Sequence, residues 1–260
     1  MRRLISIFVF AVMLNSCTKV VNINLNDASP KIVIEGNVTN TAGPYQVKIT
    51  KTVNFSASNI FPAVSGAVVT ITDNTNSIAN TLSESSPGIY ISSTLQGVAG
   101  HTYSLSVSSE GSTYTSSSTM PLPVSFDSIS FSHIARFGGT DINAVANFQD
   151  PPGLGNYYSF TETVNGQQSD RVQSYEDRLS DGRYIQRELS IDTLKAGNVV
   201  VVSMNCIDKG TYNYISTLRQ VTGGNNFNSL SPANPVSNIS NGALGYFSAH
   251  TVQIRTAIVH

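Results

Sequence analysis

The segment Glu176-Asp177-Arg178-Leu179-Ser180-Asp181-Gly182 gathers three carboxylates around a glycine turn. Oxygen ligands in that number suit a hard cation such as calcium, which makes Glu176, Asp177 and Asp181 the candidate metal ligands, although the EF-hand spacing is absent. Arg178 and Arg183 offer the other reading, in which they pair these acids on a solvated loop. His101, His133, His250 and His260 stand far apart, without the HxxxH or HExxH spacing of a zinc protease. No GxSxG elbow singles out a nucleophilic serine. The expectation is therefore a protein that is not an enzyme and takes no cofactor, with a hydrolase assembled from distant residues as the least favoured option. Asp73, Asn74 and Asn76 read as a hairpin turn that closes without a metal.

Cys17 carries the clearest chemistry. Arg2 and Arg3 precede an apolar stretch from Leu4 to Leu14, the layout of an export signal. As a helix, that stretch would reach only about 16 Å, half of a ~30 Å hydrocarbon core, so a spanning helix is disfavoured. Leu14-Asn15-Ser16-Cys17 resembles the lipobox at which lipoprotein precursors are cut and the cysteine thiol takes a diacylglycerol. Several acyl chains, at roughly 0.8 kcal/mol for each buried methylene, make a lasting anchor. The other cysteine, Cys206, sits in an apolar run (VVVVSMNC) and reads as a buried strand residue, so no disulfide is expected.

Lys plus Arg number 15 against 16 acidic residues, and no basic run comes after the signal. Nucleic acid is not an expected partner, because binding it depends on clustered cations. Charged residues make up only 12% of the chain, and Ser, Thr, Asn and Gly recur between short apolar runs, as in an exported β-protein.

The alternation that marks a half-buried strand is clearest in Tyr45-Gln46-Val47-Lys48-Ile49-Thr50. Similar runs at 32–38, 67–72, 89–92, 103–107 and 113–116, with turn clusters between them, predict an immunoglobulin-like sandwich over residues 31–120. Met120-Pro121-Leu122-Pro123 is the boundary, since two close prolines suit an extended connector. Residues 124–260 read as a second β-rich domain, with strands at 128–133, 142–148, 157–164, 183–191, 198–206 and 252–257. Within it, 209–221 predicts one amphipathic helix presenting Thr211, Ile215, Leu218 and Thr222 on one face, ended by Gly223-Gly224. The fold class is thus mainly β, preceded by a signal segment at 1–16 and a tether at 17–30. The pairs Tyr157-Tyr158 and Tyr246-Phe247, with Tyr212 and Tyr214, could stack on a partner, but one member of each pair belongs in a core.

The lipobox, the segments AGPYQVKIT from Ala42, SGAVVTITDN from Ser65, and PGIY and AGHTYSLSV between Pro87 and Val107 resemble a family of Bacteroidota lipoproteins catalogued as a domain of unknown function. DPPGLGNYYSF from Asp150, YEDRLSDG from Tyr175 and NPVSNISNGALGYFSA from Asn234 extend the resemblance over nearly the whole chain beyond Cys17. The resemblance implies an outer-membrane lipoprotein with an immunoglobulin-like N-terminal domain, often encoded beside a TonB-dependent receptor. It brings no catalytic residues. Acidic residues that often come directly after the lipidated cysteine in surface-exported members are missing, since Thr18-Lys19-Val20-Val21 comes first, and the side of the membrane is left open. Asp127-Ser128-Ile129 and Asp192-Thr193-Leu194 match the short O-glycosylation sequon of that phylum, which makes Ser128 and Thr193 candidate modification sites.

Three functions are expected in turn: a lipid-anchored binding or accessory module working with a TonB-dependent transporter, a structural or adhesive surface lipoprotein, and, least favoured, a hydrolase.

Overall fold

The computed structural model describes residues 29–54, 57–58, 60–92, 94–136, 139–222 and 234–260. The signal segment, Cys17, most of the tether and the pair Gly223-Gly224 lie outside the described residues. The chain is mainly β. Eight strands come first: β1 (Ile32–Thr39), β2 (Tyr45–Lys51), β3 (Val68–Asp73), β4 (Ile78–Thr81), β5 (Ser83–Ser86), β6 (Ile89–Ser92), β7 (Thr102–Ser109) and β8 (Ser112–Thr119). Then come β9 (Phe126–Arg136), β10 (Gly139–Gln149), β11 (Tyr157–Val164), β12 (Gln167–Glu176), β13 (Tyr184–Leu194), β14 (Val199–Ile207), helix α1 (Lys209–Thr222) and β15 (Leu244–Ile258).

In β1, β2 and β7 alternate residues are buried, as a sheet with one wet face requires. Ile34, Val47, Ile49, Val69, Ile71, Tyr90, Tyr103 and Leu105 thereby fill the space between two sheets. One of these is β4-β3-β7-β8, and the other is the β1-β2-β6-β5 part of a longer sheet whose order is β12-β11-β14-β15-β1-β2-β6-β5. A second core, built around Phe126, Phe148, Phe160, Leu189, Val202 and Met204, lies between the β12-β11-β14-β15 part and a three-stranded sheet, β13-β10-β9.

The prolines at 121 and 123 fall between these two cores, Met120 being buried in the first and Phe126 in the second. One strand joins both. The first half of β15 pairs with β1 in parallel, from Val33 opposite Leu244 to Thr39 opposite His250. Its second half pairs with β14 antiparallel, from Cys206 opposite Thr251 to Val199 opposite Ile258. Residues 31–120 therefore do not close their sandwich alone, for Phe247 and Ala249 are part of its core. A partner this far along the chain leaves no mark in local periodicity.

The helix lies where its pattern placed it, one residue longer. Asp208 caps it, its carboxylate accepting the Thr211 N–H at 2.8 Å. Thr211 and Tyr214 are the buried members of α1, whereas Thr222, expected on the same face, is exposed. Tyr214 stacks on Tyr246 of β15 and Tyr212 packs at a tilt against Tyr157 of β11, with ring centroids 4.7 and 5.0 Å apart. Tyr158 and Phe247, their chain neighbours, point into the cores. The aromatic pairs thus fasten the helix to the sheet. No helix among the described residues is long and apolar enough to cross a membrane.

Candidate functional site

Two loops meet at the end of the second sandwich nearest the helix. The first, Asp150 to Asn156, joins β10 to β11, and the second, Asp177 to Arg183, joins β12 to β13. Carboxylate oxygens of Asp150, Asp177 and Asp181 lie within 4.8 Å of one another, the first two residues buried and the third exposed. Two of the three acids expected to cluster are therefore present. The third is not Glu176, which turns away and meets Arg178 at 3.4 Å on the surface. On a strand successive side chains face opposite ways, so the last residue of β12 and the one after it diverge. Asp150 takes its place and was not readable as a partner, because only the sheet topology brings it there.

The oxygens of the cluster are largely occupied. Asp177 accepts the Gly155 N–H on both oxygens at 3.1 Å, and the Asn156 N–H at 3.1 Å. The Asn156 side-chain amide donates to the same carboxylate at 3.2 Å. Asp181 accepts the Gly153 N–H at 2.6 Å, and Asp150 accepts the Gly182 N–H at 3.0 Å and the Tyr158 hydroxyl. Burial pushes the Asp150 carboxyl above its ordinary range, with Asp177 and Asp181 adding to the rise against the hydrogen bonds from Tyr158 and Gly182. Burial and the bond to Asp150 likewise raise the Tyr158 phenol.

Three carboxylates at this spacing have the donor chemistry for one hard cation. Five of the six carboxylate oxygens nevertheless already accept a hydrogen bond, so the geometry is accounted for as a device that laces two loops together. Asp177→Ala is expected to cost about 2 kcal/mol, since it strands the Gly155 and Asn156 N–H groups that now bond a charged acceptor. Urea unfolding measures that loss, and amide exchange at Gly155 and Asn156 should speed up with it. A melting temperature that drops in EDTA would show instead that a cation holds the cluster.

The lacing holds up two apolar side chains. Leu154 lies between Gly153 and Gly155, and Leu179 lies midway between Asp177 and Asp181; they are 70% and 83% exposed.

Further along β12, away from these loops, α1 packs over β12, β11 and β15 and with β13 leaves a cleft of about 790 Å³. Ile191, Ile215 and Leu218 form its apolar wall, and Arg171 and Arg219 line it with their cationic side chains. Arg171 is braced by a 3.3 Å bond from its guanidinium to the Ile191 carbonyl. Gln173, buried in the same wall, bonds the Glu188 carbonyl at 3.0 Å and the Ser190 N–H at 3.1 Å.

The other sequence candidates are scattered. Ser128 and Thr193 both face solvent, on β9 and β13, as modification would require; the Ser128 hydroxyl also accepts from Asn147 at 3.3 Å. His101 meets Asp73 at 2.9 Å in the hairpin turn, where Asp73 also accepts the Thr75 N–H at 2.9 Å. His250 is depressed to about 4 by burial and bonds Ser248 at 3.0 Å. Cys206 is free and buried in β14. The aspartate cluster is the only group of three or more metal-ligating side chains found together among the described residues.

A family model described as a domain of unknown function, DUF4249, matches residues 18–256. The chain belongs to this family. DUF4249 thus takes in both sandwiches, the laced loops and the helix. No curated protein matches the chain in sequence.

Proposed function

We propose that this DUF4249 chain is an outer-membrane lipoprotein of the Bacteroidota kind, held by lipid on Cys17, and that its body is a binding or accessory module of a TonB-dependent transport system. The observation that carries the reading is the pair of exposed leucines on laced loops. A rigid apolar projection loses little conformational freedom on docking, which is how a few residues come to carry most of the energy of an interface. The lipobox at Leu14 to Cys17 supports the anchor.

Capture of the native lipoprotein from detergent-solubilised membranes tests this. A barrel protein is expected to come down with the wild type and to fall at least tenfold with the double variant Leu154→Ser, Leu179→Ser. Its folding free energy should move by less than about 0.5 kcal/mol, because both side chains are in water. Repeated failure to recover any barrel with the wild type would defeat the transport reading.

A further inference from the structure

The end of the first sandwich at which the chain enters carries its own apolar projection. Lys31, just before β1, is tied both ways to Thr52, just after β2. Its N–H donates to Thr52 Oγ1 and its carbonyl accepts the Thr52 N–H, each at 2.9 Å. Past Thr52, Pro62 is back against the sheet, its carbonyl accepting the Lys51 N–H at 2.9 Å.

The chain beyond Pro62 is firmly seated. Ala63 bridges Thr50, and the Val64 N–H donates to the Ile49 carbonyl at 3.0 Å. The Tyr90 hydroxyl donates to the Val64 carbonyl at 3.0 Å and accepts the Ala67 N–H at 2.9 Å. Glu84 holds the Gly66 and Gly88 N–H groups at 2.9 and 3.0 Å. Immediately before this seat, Ile60 and Phe61 stand 76% and 54% exposed, and Val68 just beyond it is also exposed. No charged residue occurs from Thr52 to Thr72, whereas Lys31 beside the loop is exposed.

Large apolar side chains held in water on one end of a body mark a surface that is covered in the working protein. The chain ahead of Lys31 indicates the cover. Thirteen residues lie between Cys17 and Lys31. They span at most about 50 Å fully drawn out and about 20 Å as a flexible coil. A bilayer holding lipid on Cys17 is therefore always within reach of this end. Contact is then intramolecular, so even a weak apolar insertion is populated.

We propose that this end of the first sandwich seats on the membrane surface, with Ile60 and Phe61 entering the boundary between headgroups and acyl chains and Lys31 meeting anionic headgroups. An uncharged loop bearing an aromatic and an aliphatic side chain beside a lysine has the chemistry of that boundary. The proposal rests on lipidation of Cys17. It also sets the posture of the body, because Leu154 and Leu179 belong to loops rooted at the level of the far end of β1, where Tyr157 opposes Ile207, Cys206 opposes Thr251 and Thr39 opposes His250. β11 and β12 extend from that level away from Lys31, so the two loops turn back toward the chain-entry end, and the leucines stand off the bilayer by less than the length of β1, itself on the order of 25 Å at 3.3 Å per residue.

The chain contains no tryptophan, so Phe61→Trp supplies a sole tryptophan that can be excited selectively over the tyrosines, and Leu179→Trp supplies the control at the laced loops. The processed full-length lipoprotein is reconstituted into vesicles of phosphatidylethanolamine and phosphatidylglycerol, with and without brominated acyl chains, and flotation confirms the anchor. The Phe61→Trp protein should show a blue-shifted emission and several-fold quenching by brominated lipid, and the Leu179→Trp protein neither. A floating Phe61→Trp protein with water-like, unquenched emission overturns the seating and leaves the anchor standing. Quenching of the Leu179→Trp protein instead overturns the posture. If neither protein floats, the lipid anchor fails and the seating falls with it.

Discussion

Gly245→Ala is expected to destabilise the protein by about 4 kcal/mol or more, a large share of the ~5–15 kcal/mol that holds an ordinary fold together. Gly245 stands opposite Ile34 in the parallel pairing of β15 with β1, at φ +96°. A Cβ added there would lie 2.0 Å from the Ile34 carbonyl oxygen and 2.8 Å from its carbonyl carbon. These are main-chain atoms of a buried strand and cannot swing aside, so β15 must leave its register. Positive φ alone costs a non-glycine residue on the order of 1–3 kcal/mol, and the clash adds to it. Gly242 separates the two effects, since it has φ +72° but nothing within 4 Å of its Cβ position. Gly242→Ala should therefore cost only about 1 kcal/mol, the conformational part. Urea midpoints for the two variants make the comparison, and equal losses would sink the close-approach argument. The antiparallel half of β15 remains paired with β14, so amide exchange should accelerate in β1 before it does so in β14.

This strand also shows where local sequence stops informing. Tyr45, Val47 and Ile49 alternate with polar residues because β2 has one wet face, and the run from Val199 to Cys206 is apolar because β14 lies inside its sheet. The helix was legible for the same reason, since Thr211, Ile215 and Leu218 recur at the helical period, although the buried Tyr214 was not part of that pattern. In contrast β12, whose sequence is QQSDRVQSYE, carries no apolar alternation. It is an edge strand, and its buried contact to β13 is made through the amide of Gln173 rather than through a hydrocarbon side chain. The C-terminal half of β8 was hidden by similar chemistry, because its inward residues are Ser116 and Ser118, which bond the Asn238 carbonyl and the Ala249 N–H at 2.8 Å. Asp177 and Asp181 could be grouped because they are four residues apart; Asp150 joins them through a sheet pairing that no spacing encodes. The exposure of Leu154, Leu179, Ile60 and Phe61 is likewise a property of what fails to cover them, which composition cannot reveal.

Glu162→Gln is expected to change the pH profile of stability by roughly 3 kcal/mol. Glu162 lies on β11 opposite Val202, shut into the second core, and neither of its carboxylate oxygens has a well-formed hydrogen bond. Burial lifts its pKa from 4.5 to about 7; the Asp192 main chain opposes the rise and the Asp192 carboxylate adds to it. In the unfolded chain the group ionises near 4.5, so between 4.5 and about 7 the folded state keeps a proton that the unfolded state has released. Stability contributed by this residue therefore falls as pH rises through that window and is fully lost above it, at about 1.4 kcal/mol for each pH unit. The raised carboxyl of Asp150 acts in the same direction. His250 acts in the opposite one. Its pKa, lowered from 6.5 to about 4, leaves the unfolded state holding the extra proton, so stability rises with pH between those values. From pH 4.5 to 6.5 the wild-type profile is thus the near-cancellation of a falling glutamate and a rising histidine. Removing the glutamate's titration unmasks the histidine. The Glu162→Gln protein should gain stability across that range while the wild type stays nearly flat, as read from urea unfolding at closely spaced pH values. Parallel profiles would show that Glu162 is already ionised or solvated in the folded protein. Glu162→Met, which keeps the length and removes the polar head, should track the glutamine profile and lie above it, because no unsatisfied amide is left in the core.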